Sequence, residues 1–305
     1  MDIKYFKKLR ILDGGMGQEL LARGLVTKGT LWSASALLDK KNYKLIIDTH
    51  LSFIDAGADV ILTNTFTTRR VRMIQNQVNN LFNFANKKAC ELAIEAKKLS
   101  KKKILIAGSL PAQNDTYEPD KRKKNLIKKD FFDQANIIGP YIDFFYFDVI
   151  SSGLEIDIAL EVIKKFNKPV LIGLHIKKDG KLPTGESITE IVKKYKNNNW
   201  LGLILACVSL EITELAANEL KKLDLPYGFK VNLWKVQEPL PVHKFNSAKF
   251  NEIGKNPNLT LGKRNEVSGK VLASFAKRMI KNGATILGGC CETNSSHIKE
   301  LSKLK

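Results

Sequence analysis

The sequence predicts a (βα)₈ barrel, also called a TIM barrel, formed by a single domain that spans residues 1–305. Short, continuously apolar runs recur eight times, which is typical of strands that are buried on both faces. Amphipathic stretches separate most of these runs, and strands that alternate with helices form a parallel sheet. No stretch rich in Gly, Ser or Pro divides the chain, and its length suits one large α/β barrel.

The predicted strands can be placed in chain order by their apolar residues. They are Leu9–Leu12, Asp59–Thr63, Lys103–Ala107, Asp143–Phe147, Pro169–Leu174, Leu201–Ala206, Tyr227–Val231 and Ala284–Leu287. The predicted helices between them are Tyr43–Ala56, Leu81–Leu99, Leu154–Phe166, Ser187–Tyr195, Leu210–Leu223 and Asn265–Lys281. Several of these helices stop at Gly57, at Gly283 or just before Pro169, and glycine and proline are common at helix ends.

Two connections are too long to be simple turns. One runs from Ser109 to about Asp130, and the other runs from about Leu233 to Leu261. Long loops in compact domains are usually lids or binding loops. Because both loops follow strands, we expect them at the C-terminal mouth of the barrel, where the active sites of this fold lie.

Composition excludes several classes of protein. With 44% hydrophobic and 27% charged residues, the chain is neither a disordered tail nor a membrane bundle. No apolar run reaches the roughly 18 residues that a spanning helix needs, and the N-terminus lacks the apolar core of an export signal. Four cysteines are too few and too unevenly spaced for a disulfide framework. We therefore expect a cytoplasmic protein that has no membrane partner.

The net charge of +19 raises the question of nucleic-acid binding. Only 8 of the 50 basic residues are Arg, and the 42 Lys are scattered along most of the chain. Arg binds phosphate and guanine through two parallel hydrogen bonds, whereas Lys is a hydrated point charge. We therefore expect a solvated basic surface and no nucleic-acid partner. The positive field would favour the approach of an anionic or zwitterionic small molecule.

Polar residues occur where the predicted strands end, and these positions converge on one rim of a barrel. The residues that we expect to contact a substrate are Asp13, Gly14, Gly15, Asn64, Asp148 and Asn232. A buried carboxylate is costly unless it meets a cation or a hydrogen-bond donor, and a substrate amino group would serve for Asp13 and Asp148. The glycines after Asp13 would let the backbone approach a small polar ligand. His175, which ends the fifth strand, is as well explained by packing as by ligand binding.

Three cysteines form the most specific pattern. Cys207 ends the sixth strand, and Cys290 and Cys291 follow the eighth. Three thiolates with one open position describe a catalytic zinc site, and soft sulfur ligands favour Zn²⁺ over Mg²⁺. Adjacent strand residues point to opposite faces, so the pair can share a metal only in a turn, for which Gly288-Gly289 would supply backbone freedom. We predict one Zn²⁺ per chain at these three thiols, whereas Cys90 is expected to pack within a helix.

Six segments resemble the homocysteine S-methyltransferase family. They are LDGGMGQEL, LWSASALL, AGADVILTNTFTT, AGSLPAQNDTYEPD, DGKLPTGES and GGCCETNSSHIKEL, in order over nearly the whole chain. The resemblance implies a (βα)₈ barrel with zinc ligands at Cys207, Cys290 and Cys291 and a substrate-binding acid at Asp13.

Two positions depart from the pattern of that family. Ala206 stands before the first zinc cysteine, where the family usually has Asn. Asp148 stands after the fourth strand, where the family usually has a Glu that holds the amino group of homocysteine. Asp148 keeps the charge but is one methylene shorter, so the amino group would lie deeper or would be met through water.

The resemblance implies a zinc-dependent enzyme that transfers a methyl group from a sulfonium or quaternary ammonium donor to the thiol of L-homocysteine, giving methionine. S-Methylmethionine, S-adenosylmethionine, betaine and dimethylsulfoniopropionate all stay open as donors, and Phe66, Tyr117 and Trp234 are candidates to face the donor cation. Two alternatives remain, namely a methyltransferase for another thiol, given Ala206 and Asp148, and a non-catalytic barrel that binds zinc or a ligand. The expected partners are small-molecule substrates, and a homo-oligomer is not excluded.

Overall fold

Eight parallel strands form one sheet that closes on itself in this computed structural model, which describes residues 1–305. The strands are β1 (Arg10–Ile11), β2 (Val60–Leu62), β3 (Leu105–Pro111), β4 (Phe144–Ile150), β5 (Val170–Leu174), β6 (Trp200–Val208), β7 (Tyr227–Val231) and β8 (Ile286–Gly289). Their order in the sheet is β1-β8-β7-β6-β5-β4-β3-β2, and a parallel bridge between Leu12 and Val60 joins β1 to β2. The predicted (βα)₈ barrel is confirmed.

Thirteen α-helices accompany the strands, and the longer ones surround the barrel. They are α1 (Lys4–Lys7), α2 (Met16–Ala22), α3 (Tyr43–Asp55), α4 (Arg70–Gln75), α5 (Phe82–Ser100), α6 (Lys124–Ile138), α7 (Gly153–Ile163), α8 (Ile188–Tyr195), α9 (Leu210–Leu215), α10 (Ala217–Leu220), α11 (Asn258–Leu261), α12 (Gly269–Lys281) and α13 (Ser295–Ser302). No helix combines the length and the apolar character that a bilayer-spanning segment needs.

All eight predicted strands exist, but four of them, β3, β4, β6 and β8, run further than their apolar cores suggested. β4 and β6 continue past the predicted ends, so Asp148 and Cys207 lie inside strands and not after them. Both strands contain a β-bulge near this end, where the register shifts between Phe147 and Ile150 and between Ala206 and Val208. A bulge turns a side chain out of the regular alternation, and such bulges are common beside active sites.

The loop predicted from Ser109 to about Asp130 is shorter than expected. β3 extends to Pro111, and α6 already begins at Lys124, so the loop comprises residues 112–123. The start of α6 is difficult to recognise in the sequence because several lysines interrupt its apolar pattern. Its buried face contains Ile127, Phe131 and Ile138 at helical spacing. The predicted helix Leu210–Leu223 is also divided, because α9 ends before Ala216 and a separate α10 follows.

The closure between β1 and β2 contains few backbone hydrogen bonds, and two aspartates supplement it. The Asp59 carboxylate accepts the Ile11 N–H at 2.8 Å. The Asp13 carboxylate accepts the Leu62 N–H at 2.7 Å. The side chains of these residues therefore bind the neighbouring strand where the strand ladder is shortest.

Apolar side chains fill the barrel from its N-terminal end. Phe6 on α1 is fully buried and packs edge-on against Phe144 of β4, with ring centroids 5.8 Å apart. The interior cluster continues upward through Leu171 and Ile204 to Cys207. Because this end is closed, the space for a ligand lies at the C-terminal mouth.

Glu155 on α7 is a fully buried carboxyl group outside the barrel interior. Its Oε2 accepts a hydrogen bond from the Ser152 hydroxyl at 2.7 Å, and its Oε1 has no hydrogen-bond partner. Burial raises the pKa of Glu155 from 4.5 to about 7. The folded protein therefore holds a proton that the unfolded chain releases at lower pH.

Replacing Glu155 by glutamine is expected to raise the free energy of unfolding at pH 8 by about 3 kcal/mol and to change it little at pH 4. The wild-type protein loses stability as the pH rises from 4.5 to about 7, because only the unfolded chain is ionised at Glu155 in that range. Urea unfolding at pH 4, 6 and 8 measures the difference. Glu95→Gln, at an exposed position of α5 that forms no ion pair, is the control and should show no such dependence on pH. An equal effect of Glu155→Gln at every pH would contradict the prediction.

Candidate metal and substrate site

Three thiols meet at the C-terminal mouth of the barrel. The Sγ atoms of Cys207 and Cys291 are 3.7 Å apart, those of Cys290 and Cys291 are 3.9 Å apart, and all three lie within 4.8 Å of one another. Zinc–sulfur bonds of about 2.3 Å in tetrahedral geometry separate the sulfurs by about 3.8 Å. The three thiols therefore fit a metal ion with one coordination position left for a ligand.

The backbone around Cys207 is held in an unusual conformation. Cys207 has φ 54°, in the left-handed region that residues other than glycine rarely adopt, at the bulge between Ala206 and Val208. The amide group of Asn232 donates to the Cys207 carbonyl oxygen at 2.7 Å. These features fix where the thiol points, and local strain of this kind is concentrated at functional sites.

A tyrosine contacts the first thiol directly. The Tyr117 hydroxyl lies 3.1 Å from Cys207 Sγ. Burial opposes ionisation of the Cys207 thiol, but hydrogen bonds from the other two cysteines and from Tyr117 lower its pKa well below the usual value. Cys207 is therefore prepared to act as a thiolate, which is the form that binds metal.

The two glycines before the cysteine pair serve a different purpose from the one predicted. Neither Gly288 nor Gly289 has a positive φ, and the left-handed residue of the turn is Glu292, at φ 65°. A Cβ atom at Gly288 would lie 2.8 Å from Leu12 Cβ and 2.9 Å from Lys230 Cγ. The prediction that these glycines supply backbone freedom for the turn was wrong. Glycine is needed at position 288 because the neighbouring strands lie too close to leave room for a side chain.

The loop after β1 packs directly on the cysteine turn. The Gly15 N–H donates to the carbonyl and hydroxyl oxygens of Thr293, at 3.0 and 3.1 Å. A Cβ atom at Gly15 would overlap the Cys290 carbonyl oxygen, and one at Gly14 would lie 3.0 Å from the Thr293 carbonyl oxygen. Both glycines line the cavity, but their lack of side chains is already explained by contact with the turn.

Asp13 is buried and paired with a lysine inside the barrel. Lys230 Nζ on β7 lies 2.6 Å from Asp13 Oδ1 and 3.1 Å from the Asp13 carbonyl oxygen. Asp13 Oδ2 accepts the Leu62 N–H. Burial alone would lower the pKa of Lys230, but the charge of Asp13 raises it. Both carboxylate oxygens of Asp13 thus have partners before a substrate arrives.

The carboxylate of Asp148 has fewer hydrogen-bond partners than that of Asp13. The Ser109 hydroxyl donates to its Oδ2 at 2.7 Å, and the residue lines the cavity. Burial and the neighbouring charge of Cys290 raise the pKa of Asp148 to about 7. The next residue, Val149, has φ 59°, which is costly for a β-branched side chain. A cation beside Asp148 would compensate for the burial of its charge.

Of the two asparagines that were predicted to contact a substrate, only Asn64 lines the cavity. Asn64 lines the cavity and donates to the Ser33 carbonyl oxygen at 3.2 Å. Asn232 is fully buried, and besides holding Cys207 it accepts the Trp234 N–H at 3.1 Å. Asn232 is not among the cavity-lining residues, so its position is that of a support for the first thiol.

One cavity of about 1050 Å³, including the solvent at its mouth, connects these groups. The aromatic residues that line it are Trp32, Phe66, Tyr117, Trp234 and Phe245. The loop predicted from about Leu233 to Leu261 contributes Val242, Lys255 and Leu261, so its expected position at the mouth is confirmed.

The sequence analysis did not identify Lys230 or Arg69 as members of this cavity, whereas Ser109 lies there as its place at the end of the third predicted strand suggested. Lys230 could have been found, because it is the only charged residue in the otherwise apolar strand Tyr227–Val231. The hydrogen bond from Ser109 to Asp148 joins neighbouring strands and leaves no local signal in the sequence. His175 is buried, and its ring packs 4.7 Å from that of Tyr117.

Comparisons with known proteins identify the family of this chain. A family model described as homocysteine S-methyltransferase matches residues 10–304. Homocysteine S-methyltransferase 2 of Saccharomyces cerevisiae is 24% identical over 97% of this chain and 94% of its own length. The S-methylmethionine–homocysteine S-methyltransferase BHMT2 of Pongo abelii is 25% identical over 95% of this chain and 77% of its own length.

Among solved structures, the metallated form of the homocysteine methyltransferase MmuM from Escherichia coli is similar in fold. Its TM-score is 0.77 at 20% sequence identity, and the match covers 98% of this chain and 96% of that one. Because the family model spans nearly all of the barrel, from β1 to the residues after α13, this chain belongs to the homocysteine S-methyltransferase family of enzymes.

Proposed function

We propose that this methyltransferase uses one Zn²⁺, held by Cys207, Cys290 and Cys291, to transfer a methyl group from a sulfonium or quaternary ammonium donor to L-homocysteine, giving methionine. The observation that carries the proposal is the spacing of the three Sγ atoms, which suits tetrahedral zinc with one open position. Zinc bound there would act as a Lewis acid that favours loss of the acceptor thiol proton near neutral pH.

The protein groups around the thiols orient the acceptor. Asp148 offers the oxygen that Ser109 does not occupy to the ammonium group of homocysteine. Asn232 and Tyr117 hold Cys207 in place through its carbonyl oxygen and its sulfur. With the acceptor fixed, the methyl transfer gains from proximity and alignment.

The transfer itself is a displacement at the methyl carbon. A lone pair of the acceptor sulfur forms the new S–CH₃ bond while the bond from the methyl group to the donor's onium atom breaks. The donor leaves as a neutral sulfide or tertiary amine, and no general base acts on the methyl carbon. The rings of Phe66, Tyr117 and Trp234 line the cavity and offer π faces to a cationic donor. The name of the Pongo abelii relative favours S-methylmethionine among the donors.

Isotope transfer tests the proposal. Zinc-loaded, reduced protein is incubated with L-homocysteine and with each of S-methylmethionine, S-adenosylmethionine, betaine and dimethylsulfoniopropionate, labelled with ¹³C in the transferred methyl group. We expect labelled methionine from at least one donor and none from metal-free protein. Label in a different thiol, from a panel offered in parallel, would assign another acceptor. Absence of label from every thiol with every donor, while zinc is bound, would refute the activity.

A further inference from the structure

We propose that Lys230 anchors the α-carboxylate of the acceptor, so that the enzyme selects an amino-acid thiol over a simple aminothiol. This inference rests on the proposed function, because it concerns the acceptor at the same site. It assigns the two charges of the acceptor to two different side chains: the carboxylate to Lys230 and the ammonium group to Asp148.

Both carboxylate oxygens of Asp13 already accept hydrogen bonds. Its Oδ1 accepts one from Lys230 Nζ at 2.6 Å, its Oδ2 accepts one from the Leu62 N–H at 2.7 Å, and the residue is 1% exposed. A substrate ammonium group could bind Asp13 only by displacing one of these buried partners, which would leave that partner unsatisfied. Asp148, with one of its oxygens bound by Ser109, is therefore the better partner for the ammonium group.

The ammonium group of Lys230 keeps one hydrogen-bond donor free of protein partners. It has three N–H donors, and the two atoms that it contacts both belong to Asp13. Lys230 lines the cavity although only 4% of its side chain is exposed. Gly288 leaves space beside Lys230 Cγ that a larger residue would fill. A third N–H thus remains for a ligand that enters the cavity.

Lys230 shares the cavity with two other cations, Arg69 and Lys255. Arg69 is fully buried. Its two terminal nitrogens donate to the Ala112 carbonyl oxygen and the Thr116 hydroxyl, at 2.7 and 2.9 Å, and its Nε has no hydrogen-bond partner. Lys255 lies in an exposed loop at the mouth. Lys230 on β7 is paired in register with Gly288 of β8, two residues before Cys290, so it is the cation of the cavity that lies directly beside the cysteine turn.

The acceptor carries its two charges close together. In homocysteine the carboxylate and the ammonium group share one carbon atom, so their partners must face the same cavity as the thiol site. Lys230 on β7 and Asp148 on β4 both line the single cavity that contains the three cysteines. A cation and an anion placed in this way match the zwitterion of an amino acid, and a charge-assisted hydrogen bond to each end would fix its orientation.

The test compares three acceptors that differ by one charged group. They are L-homocysteine, 3-aminopropane-1-thiol, which lacks the carboxylate, and 4-mercaptobutanoate, which lacks the amino group. The proteins are zinc-loaded wild type, Lys230→Met, the double variant Asp13→Asn/Lys230→Met, and Asp148→Asn. The double variant removes both members of the buried pair, so it keeps the test informative if Lys230→Met alone does not fold.

We expect wild type to prefer homocysteine over the aminothiol by about 30-fold in kcat/KM, the size of a buried charge-assisted hydrogen bond. In both Lys230 variants this preference should fall to within about threefold, mainly through KM, while the preference over 4-mercaptobutanoate persists. Asp148→Asn should show the opposite pattern. If Lys230 only neutralises Asp13, the double variant will discriminate between the acceptors as wild type does, and the proposal is overturned.

A separate measurement keeps this inference distinct from the proposed function. Calorimetric binding of each thiol to the zinc-loaded proteins, without a donor, reports recognition of the acceptor alone. If wild type binds homocysteine at least about 10-fold more tightly than the aminothiol and the double variant does not, the anchor is supported even where no methyl transfer occurs. Equal loss of affinity for both thiols in the double variant would overturn it.

Discussion

Replacing Cys290 by alanine is expected to abolish stoichiometric zinc binding and to lower methyl transfer by at least about a thousandfold. The variant leaves two thiols, Cys207 and Cys291, and these three cysteines form the only group of three metal-binding side chains at such short distances in the structure. A two-thiolate site with two open positions binds zinc weakly, because one zinc–sulfur bond is lost and two ligands fix the tetrahedral geometry less well than three. Zinc content by mass spectrometry of the native protein measures the first effect, and the labelled-methyl assay measures the second.

The matched control is Cys90→Ala. Cys90 is a fully buried thiol on α5, far along the chain from all three site cysteines and outside the cavity. This variant removes a thiol of the same size without touching the site, so about one zinc per chain and near wild-type turnover should remain. If Cys290→Ala retains one zinc per chain, the three-thiol site is wrong. If Cys90→Ala loses zinc as well, the effect reports loss of folding and not loss of a ligand.

Replacing Lys230 by methionine is expected to lower the free energy of unfolding by about 3–5 kcal/mol. The substitution keeps the length of the side chain but leaves the Asp13 carboxylate buried with one of its two strong partners missing. Breaking a buried ion pair from one side is costly because the remaining charge has lost both water and its counter-charge. Urea unfolding at pH 7 measures the loss.

The double variant Asp13→Asn/Lys230→Met should recover most of that loss and come within about 1–2 kcal/mol of wild type. Asparagine still offers an oxygen to the Leu62 N–H, and the apolar methionine no longer faces a charge. Lys222→Met, at an exposed position, controls for the change of residue type and should alter stability by less than about 0.5 kcal/mol. A double variant as unstable as Lys230→Met alone would show that the two residues do not stabilise each other.

The fold was predictable because parallel barrel strands are buried on both faces and leave continuous apolar runs in the sequence. β7 begins and ends at the predicted residues, Tyr227 and Val231. The bulges in β4 and β6 were not predictable, because they depend on how each strand pairs with its neighbours. The start of α6 was missed because its lysines dilute an apolar face that becomes visible only when the helix is placed on the sheet.

The candidate site was partly predictable for the same topological reason. Side chains at the C-terminal ends of β6 and β8 converge on the same rim of a barrel, so the meeting of Cys207 with Cys290 and Cys291 followed from the strand order. The pairing of Asp13 with Lys230 joins residues 217 positions apart and has no local signature. Glycine is needed at positions 15 and 288 because distant parts of the chain occupy the space that a side chain would fill. The spacing of residues along the sequence does not reveal such contacts.

The closure between β1 and β2 has a consequence for the dynamics of the barrel. Around the rest of the ring, each pair of neighbouring strands is joined by at least two paired residues, but here a single bridge is supplemented by two rotatable carboxylates. Rotation of two side chains breaks fewer backbone hydrogen bonds than separation of a full ladder. We therefore expect the barrel to open locally between β1 and β2 before it opens between other strands. We expect the Ile11 and Leu62 amides to exchange hydrogen faster than those in the middle of β5 and β6. Each such opening would separate Asp13 from β2 and briefly widen the barrel beside the thiols.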